Sequence, residues 1–283
     1  MKQKTFDFTI IGGDMRQVWL AKLLALKGYC VCHYELCEPL KAPCIQPLNS
    51  LLEAVSSSSV CIAPIPFSKL FNQTSVLEFS NLLSDRHTLF AGCIPNTFFE
   101  LIYKKNISAF DFMGSPEFAF WNAKATAESA LANAVFLSPR TLFESQCLIL
   151  GYGKCAKALA RLLSMQTPYL SVSARNPIQL AEASLTGART FSLEQLSDCE
   201  LSSFDFIFNT IPAPVLTNTL LEQISPSALL LDLASAPGGF NLEKAKSMGK
   251  NAHLLLGLPG KYAPLSSAEK MMSFIFQHIK LSS

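Results

Sequence analysis

The stretch CLILGYGKCAKALARLL, residues 147–163, decides the fold. A short apolar run enters the tight turn Gly151-Tyr152-Gly153, and a helical pattern follows. In such a turn the first glycine lets the chain leave a strand sharply. The second lets backbone approach a pyrophosphate, and a small third residue lets the helix pack on the strand. Gly151, Gly153 and Ala156 meet these needs in order, with Lys154 and Cys155 between the last two. The helix N-terminus then offers free N–H groups and the positive end of a dipole to phosphates. A dinucleotide site is expected here.

Working outward, apolar strand-like runs alternate with helical ones along the whole chain. After the loop, strands are predicted near 147–150, 170–173, 189–191, 204–209, 228–232 and 253–256, with helices near 154–165, 177–185, 216–223 and 242–248. Six strands suit a full dinucleotide-binding domain. Before it, strands near 5–11, 31–34, 60–63, 87–91 and 108–111 alternate with helices near 15–27, 75–83 and 97–104. The strands are short, continuous and apolar, as parallel sheets covered on both faces require. Residues 115–139 open on Ser-Pro-Glu, contain no glycine and read as one long helix. The expected fold is α/β: two Rossmann-like or flavodoxin-like doubly wound parallel-sheet domains joined by a long helix. The expected boundaries are 1–114 for a flavodoxin-like substrate domain, 115–139 for the linker helix and 140–265 for the cofactor domain. A last helix, read as 266–281 within a terminal segment 266–283, is expected to pack back on the first domain.

The composition narrows the function. Of 283 residues, 49% are hydrophobic and 16% charged, which supports large buried cores. A net charge of +2 without a Lys/Arg block argues against nucleic-acid binding through phosphates. No apolar run approaches the roughly 20 residues that span a bilayer. The start MKQKTFDFTII reads directly into a strand, without the apolar core and cleavage site of a signal peptide, so a cytoplasmic protein with no membrane association is expected. The nine cysteines fit a reducing compartment. The cluster Cys30, Cys32, His33, Cys37 has poor geometry for a metal, because on a strand the two cysteines share one face and His33 takes the other.

The end of the second strand of the cofactor domain chooses the dinucleotide. An NAD site places an acid about 20 residues beyond the first glycine, on the ribose hydroxyls. Here Ser173-Ala174-Arg175 stands instead, and a hydroxyl with a guanidinium suits a 2′-phosphate, so NADP(H) is expected. Ligands of doubly wound sheets lie at the carboxyl ends of strands. Asn209-Thr210-Ile211-Pro212 should therefore border the cofactor, and Asp232-Leu233-Ala234-Ser235 should approach the nicotinamide, with Ser235 toward substrate and Pro237-Gly238-Gly239 making the turn that lets backbone come close. The first glycine turn, IIGGDMRQ at 10–17, lacks the spacing for a pyrophosphate. It offers Asp14 and Arg16, and Arg16 either grips a substrate carboxylate or pairs with Asp14. Lys261 is a further carboxylate partner. In the long helix, Glu128 is the candidate proton acceptor and Thr126 a candidate substrate contact. The four histidines, His33, His87, His253 and His278, occupy no catalytic motif.

Taken together, IIGGDMRQ, NAKATAESAL at 122–131, LILGYGKCAKALA at 148–160, FNTIPAPVLT at 208–217, LDLASAPGGF at 231–240 and GLPGKYAP at 257–264 resemble the A-subunit family of dipicolinate synthase over nearly the whole length. The resemblance implies a sporulation-linked, NADP-dependent oxidoreductase that converts a dihydro- or hydroxytetrahydro-dipicolinate to dipicolinate. It implies a flavoprotein-like B subunit of dipicolinate synthase as partner, a small dicarboxylate as substrate, and a homo-oligomer. The alternatives are a 2-hydroxyacid or amino-acid dehydrogenase on the same scaffold, which needs a His/acid pair, and an NADP(H)-binding subunit without catalysis of its own.

Overall fold

Strands such as Phe-Thr-Ile-Ile, Cys-Leu-Ile-Leu and Leu-Leu-Leu-Asp carry no polar face, so they are stable only where helices cover both sides of a sheet. A computed structural model, which describes residues 5–72 and 76–279, shows two such sheets. The expected helix ends at Ser75 and Leu281 lie outside the described residues. The chain divides into one unit of residues 1–119 and 260–283 and another of residues 120–259.

The first unit runs β1 (Phe8–Ile11), α1 (Met15–Leu26), β2 (Val31–Tyr34), β3 (Ile45–Pro47), α2 (Leu51–Ser56), β4 (Val60–Ile62), α3 (Val76–Leu82), β5 (Thr88–Ala91), α4 (Asn96–Tyr103) and β6 (Ser108–Asp111). All strands pair in parallel, in the order β3-β2-β1-β4-β5-β6. This corrects the expected five strands to six, and gives the Rossmann order in place of the flavodoxin one. The added strand, Ile-Gln-Pro, is a short edge strand with one buried residue, and its proline is tolerated there because an edge needs fewer donors.

Helix α5 (Pro116–Leu137) begins in the first unit and continues into the second. The second unit then adds β7 (Cys147–Leu150), α6 (Lys154–Leu163), β8 (Leu170–Ala174), α7 (Pro177–Ser184), β9 (Arg189–Ser192), β10 (Phe206–Asn209), α8 (Asn218–Gln223), β11 (Leu229–Asp232), α9 (Leu242–Ser247) and β12 (Asn251–Leu254). Their order is β12-β11-β10-β7-β8-β9, again all parallel. Strand alternation sorts the core. Cys147, Ile149, Phe206 and Phe208 face α5 and α6, while Leu148, Leu150, Ile207 and Leu230 face the other way. Ala127, Ala130 and Ala134 bring α5 down onto its face of the sheet, so this helix is part of the unit's wall.

After a short helix α10 (Leu258–Tyr262), α11 (Pro264–His278) packs against α1. Ala268, Met271, Phe274 and Ile275 share one core with Leu20, Ala21 and Leu24 of α1 and with Phe8 and Ile10 of β1. No described helix is long and apolar enough to cross a membrane.

Candidate functional site

The two glycine turns lead into helices of similar length with opposite surroundings. In the second unit Gly151 follows β7 with φ +92°, a conformation that favours glycine. A Cβ there would stand 2.6 Å from Thr210 Oγ1 and 2.8 Å from Ile211 Cγ1. Gly153 is the N-cap of α6, and no side chain caps the helix. Nothing beyond its chain neighbours lies within 4 Å of a Cβ built on Gly153, so there is room at the head of α6, whose first-turn N–H groups no side chain caps. Ala156 is fully buried and lets α6 seat against the sheet. These residues fit a pyrophosphate.

In the first unit the corresponding space is filled. A Cβ on Gly13 would collide with the side chain of Gln17. Asp14 caps α1, and the Gln17 side chain accepts from the Asp14 N–H at 3.0 Å, a complete capping box. At the head of α1 the N–H groups of Asp14, Arg16 and Gln17 are therefore bonded, and the capping carboxylate repels a phosphate. The second turn is the one built for a dinucleotide.

Around it a groove is lined by Gly151, Gly153, Arg175, Gln179, Thr210 and Pro212, among others. Arg175 lies exposed on its rim, just beyond β8, and pairs with no carboxylate among the described residues. Ala174 is buried beside it, and Asn176 caps α7 by accepting from the Ile178 N–H. Ser173 is wholly buried and its hydroxyl has no partner among the described residues, so it lies beneath the rim that Arg175 occupies. Lys154 is exposed at the start of α6, with its ammonium 5.8 Å from the centre of the Phe120 ring. Cys155 beside it is half-buried; burial pushes its thiol up against the lowering effects of a hydrogen bond with Thr126 and the charge of Lys154.

The loops after β10 and β11 carry residues expected beside the cofactor, and they are tied to each other by hydrogen bonds that sequence reasoning did not foresee. Asp232, at the end of β11, accepts from Asn209 Nδ2 at 2.7 Å, the Gly239 N–H at 2.7 Å and the Ala234 N–H at 3.1 Å. Asn209 is fully buried, and its amide also bonds both backbone groups of Ile211. A Cβ on Gly238 would stand 2.6 Å from Asp232 Oδ2, and one on Gly239 would collide with the Asn209 amide. Asn209 thus shapes the loop and has no amide group left for a ligand. Thr210 likewise donates to the Leu150 carbonyl at 2.8 Å. Pro212 and Ser235 are exposed, Leu233 is half-buried and Ala234 buried. The signal for the tie was the pair of glycines, Gly238 and Gly239, six and seven residues beyond the strand-end aspartate. Asp232→Ala leaves three buried donors without an acceptor and is expected to cost about 3 kcal/mol or more, read as a lower urea midpoint at unchanged m-value.

The other candidates separate. Arg16, 3% exposed, donates through Nε to Asp14 Oδ1 and through Nη2 to Asp14 Oδ2, both at 2.8 Å, and through Nη2 to the Ile65 carbonyl at 2.5 Å. Of the two roles weighed for Arg16, the structure shows the pair with Asp14. Burial alone would raise the Asp14 carboxyl, but the hydrogen bonds and charge of Arg16, with the charge of Lys69, outweigh it and hold the group below its ordinary value of 3.8. A carboxyl lowered on folding stabilises above the unfolded value, and this contribution is lost as pH falls through the folded one. Thr126 is buried in α5 and donates to the Asn122 carbonyl at 2.8 Å. Glu128 is exposed and unpaired among the described residues, so the two do not converge on one point. Lys261 is exposed in α10.

No histidine lines the groove. His33 bonds the Leu40 carbonyl, His87 the Val55 carbonyl and His278 the Phe274 carbonyl. His253 is half-exposed on the edge strand β12 and bonds Asn251, so it is not the core histidine that its apolar surroundings suggest. Among the described residues no group of three or more His, Cys, Asp or Glu is placed to hold a metal.

Comparison with known proteins adds to this geometry. Residues 7–113 match the family model for the N-terminal domain of the dipicolinate synthase A subunit. The A subunit of dipicolinate synthase from Bacillus subtilis strain 168 is 27% identical over 277 residues, covering 92% of this chain and 91% of the relative. The chain resembles the A subunits of dipicolinate synthase over nearly its whole length. Among solved structures, the A subunit of dipicolinate synthase from Bacillus halodurans aligns with a TM-score of 0.80 at 23% identity, over 97% of this chain and 98% of that one. The Bacillus subtilis counterpart gives 0.77 at 22%, over 97% and 95%. A transhydrogenase from Sinorhizobium meliloti gives 0.56 at 13%, over 95% and 93%. These likenesses show a Rossmann-like α/β fold shared by the family and by the transhydrogenase.

Proposed function

We propose that this chain is the oxidoreductase subunit of a dipicolinate synthase, using NADP⁺ to oxidise to dipicolinate a dihydrodipicolinate, supplied as such or formed from a hydroxytetrahydrodipicolinate by loss of water. The observation that carries the cofactor is the open head of α6 with unpaired Arg175 on the same groove. Likeness to the A subunits of dipicolinate synthase supports the substrate. When bound, NADP⁺ supplies a hydride acceptor. The chain's own residues do the rest. The N–H groups at Gly153 and the start of α6 hold the pyrophosphate, and Arg175 holds the 2′-phosphate in two-pronged fashion. Asp232 and Asn209 fix the loops that border the nicotinamide.

Turning a dihydropyridine into a pyridine releases a hydride equivalent and a proton, and aromaticity supplies much of the driving force. A weak proton acceptor suffices, and the free carboxylate of Glu128 is the one proposed. A groove without a histidine fits this reaction better than alcohol oxidation, which calls for a stronger base. Ser235 and Lys261, both exposed, are proposed substrate contacts. The proposed setting is cytoplasmic, in a homo-oligomer working with a flavoprotein-like B subunit during sporulation.

The test is NADPH formation by the purified chain supplied with freshly generated dihydrodipicolinate, with and without the B subunit. Substrate-dependent absorbance at the NADPH band is the expected result in at least one of the two mixtures. Its absence from both sinks the reading.

A further inference from the structure

We propose that Lys69 is the carboxylate anchor of the first unit, and that the Asp14–Arg16 pair is the platform that presents it; this rests on the diacid reading above. The strand order of the first sheet reverses between β1 and β4, and ligands of such sheets lie beyond the carboxyl ends of the strands at the reversal. The chain leaves β1 through Gly12–Asp14 and leaves β4 toward the 3-10 turn Phe67–Asn72, which carries Lys69. Both segments meet at one carboxylate.

Arg16 cannot serve as the anchor. Its side chain is buried, and turning it toward a ligand would strand the Asp14 carboxylate without its counter-charge. Lys69 stands differently. Its ammonium lies 3.5 Å from Asp14 Oδ2, and its side chain is 46% exposed. Arg16 already matches the charge of Asp14, so Lys69 leaves the cluster with one positive charge in excess. A loose, half-exposed pair is worth little, so Lys69 can turn to an incoming carboxylate at small cost. The capping box on α1 makes the helix head a poor phosphate site, because the N–H groups of Asp14, Arg16 and Gln17 are already bonded. On its other side the carboxylate meets the backbone of Gly260, where a Cβ would stand 2.6 Å from Asp14 Oδ2. That approach brings the exposed Lys261 to within one residue of the cluster. The geometry points to an organic carboxylate as the ligand, held by an ammonium as a point charge.

The test is calorimetric titration of the full chain with pyridine-2,6-dicarboxylate, together with steady-state kinetics. Lys69→Gln is expected to weaken diacid binding by about tenfold or more, the size of one charge-assisted hydrogen bond. KM should rise by a similar factor while kcat and NADP(H) affinity hold, and Lys69→Arg should recover most of the loss. Equal diacid affinity in the wild type and Lys69→Gln overturns the assignment and leaves the functional reading standing. A wild-type chain that binds NADP(H) but takes up no diacid, with or without the B subunit, overturns both.

Discussion

Gly151→Val is expected to weaken NADP(H) binding by about 100-fold or more, equivalent to roughly 2.7 kcal/mol. The residue sits at φ +92°, where a β-branched side chain is strained in any surroundings. The added Cβ would also stand 2.6 Å from a Thr210 hydroxyl that is itself held on the Leu150 carbonyl. The turn must move, and the N–H groups at the head of α6 move with it. Gly153→Ala makes the informative contrast. No protein atom lies within 4 Å of its added Cβ, so the fold is unaffected while the methyl group occupies the space a pyrophosphate needs. Fluorescence titration with NADPH beside thermal unfolding reads both variants. Wild-type affinity in Gly151→Val would remove the assignment of this turn.

The second large effect concerns which dinucleotide is chosen. Arg175→Ala is expected to lower NADP(H) affinity by about 100-fold, the loss of a two-pronged charge-assisted contact, while NAD(H) affinity changes little. The guanidinium is exposed and unpaired among the described residues, so its removal leaves no buried charge behind and stability should be preserved. The ratio of the two dissociation constants is the measurement. An unchanged ratio would place the discrimination elsewhere, for instance at Asn176 or Gln179, which line the same groove.

The alternation of apolar runs with helical patterns was legible because parallel strands buried on both faces cannot afford polar residues. What escaped was small or conditional. Ile45–Pro47 has three residues and a proline, and Leu51–Ser56 is a single short turn of helix, so neither leaves a periodic signal. Gly151, Gly153 and Ala156 were legible because their sizes are dictated by backbone geometry. Arg16 was ambiguous for the opposite reason. Its long side chain reaches either a ligand or the residue two before it, and only the packed position of Asp14 decides. Asp232 was legible as a strand-end residue on the cofactor side, but not as the acceptor that ties two loops together. Its role appears only when Gly239, seven residues on, folds back onto it. Lys69 had no signal in sequence at all, since its significance lies in a neighbour 55 positions away.

Helix α11 follows every strand of both sheets in sequence, yet its Met271, Phe274 and Ile275 fill the core that contains β1. The order of synthesis therefore runs against the order of completion. All six strands of the second sheet leave the ribosome before Pro264 does, and that sheet can close its own core while the first still lacks a helix. A ribosome that stalls in α10 leaves a nascent chain with Leu20 and Leu24 of α1 bare. Of the two sheets, the one that comes earlier in sequence is completed later, by a helix that follows both.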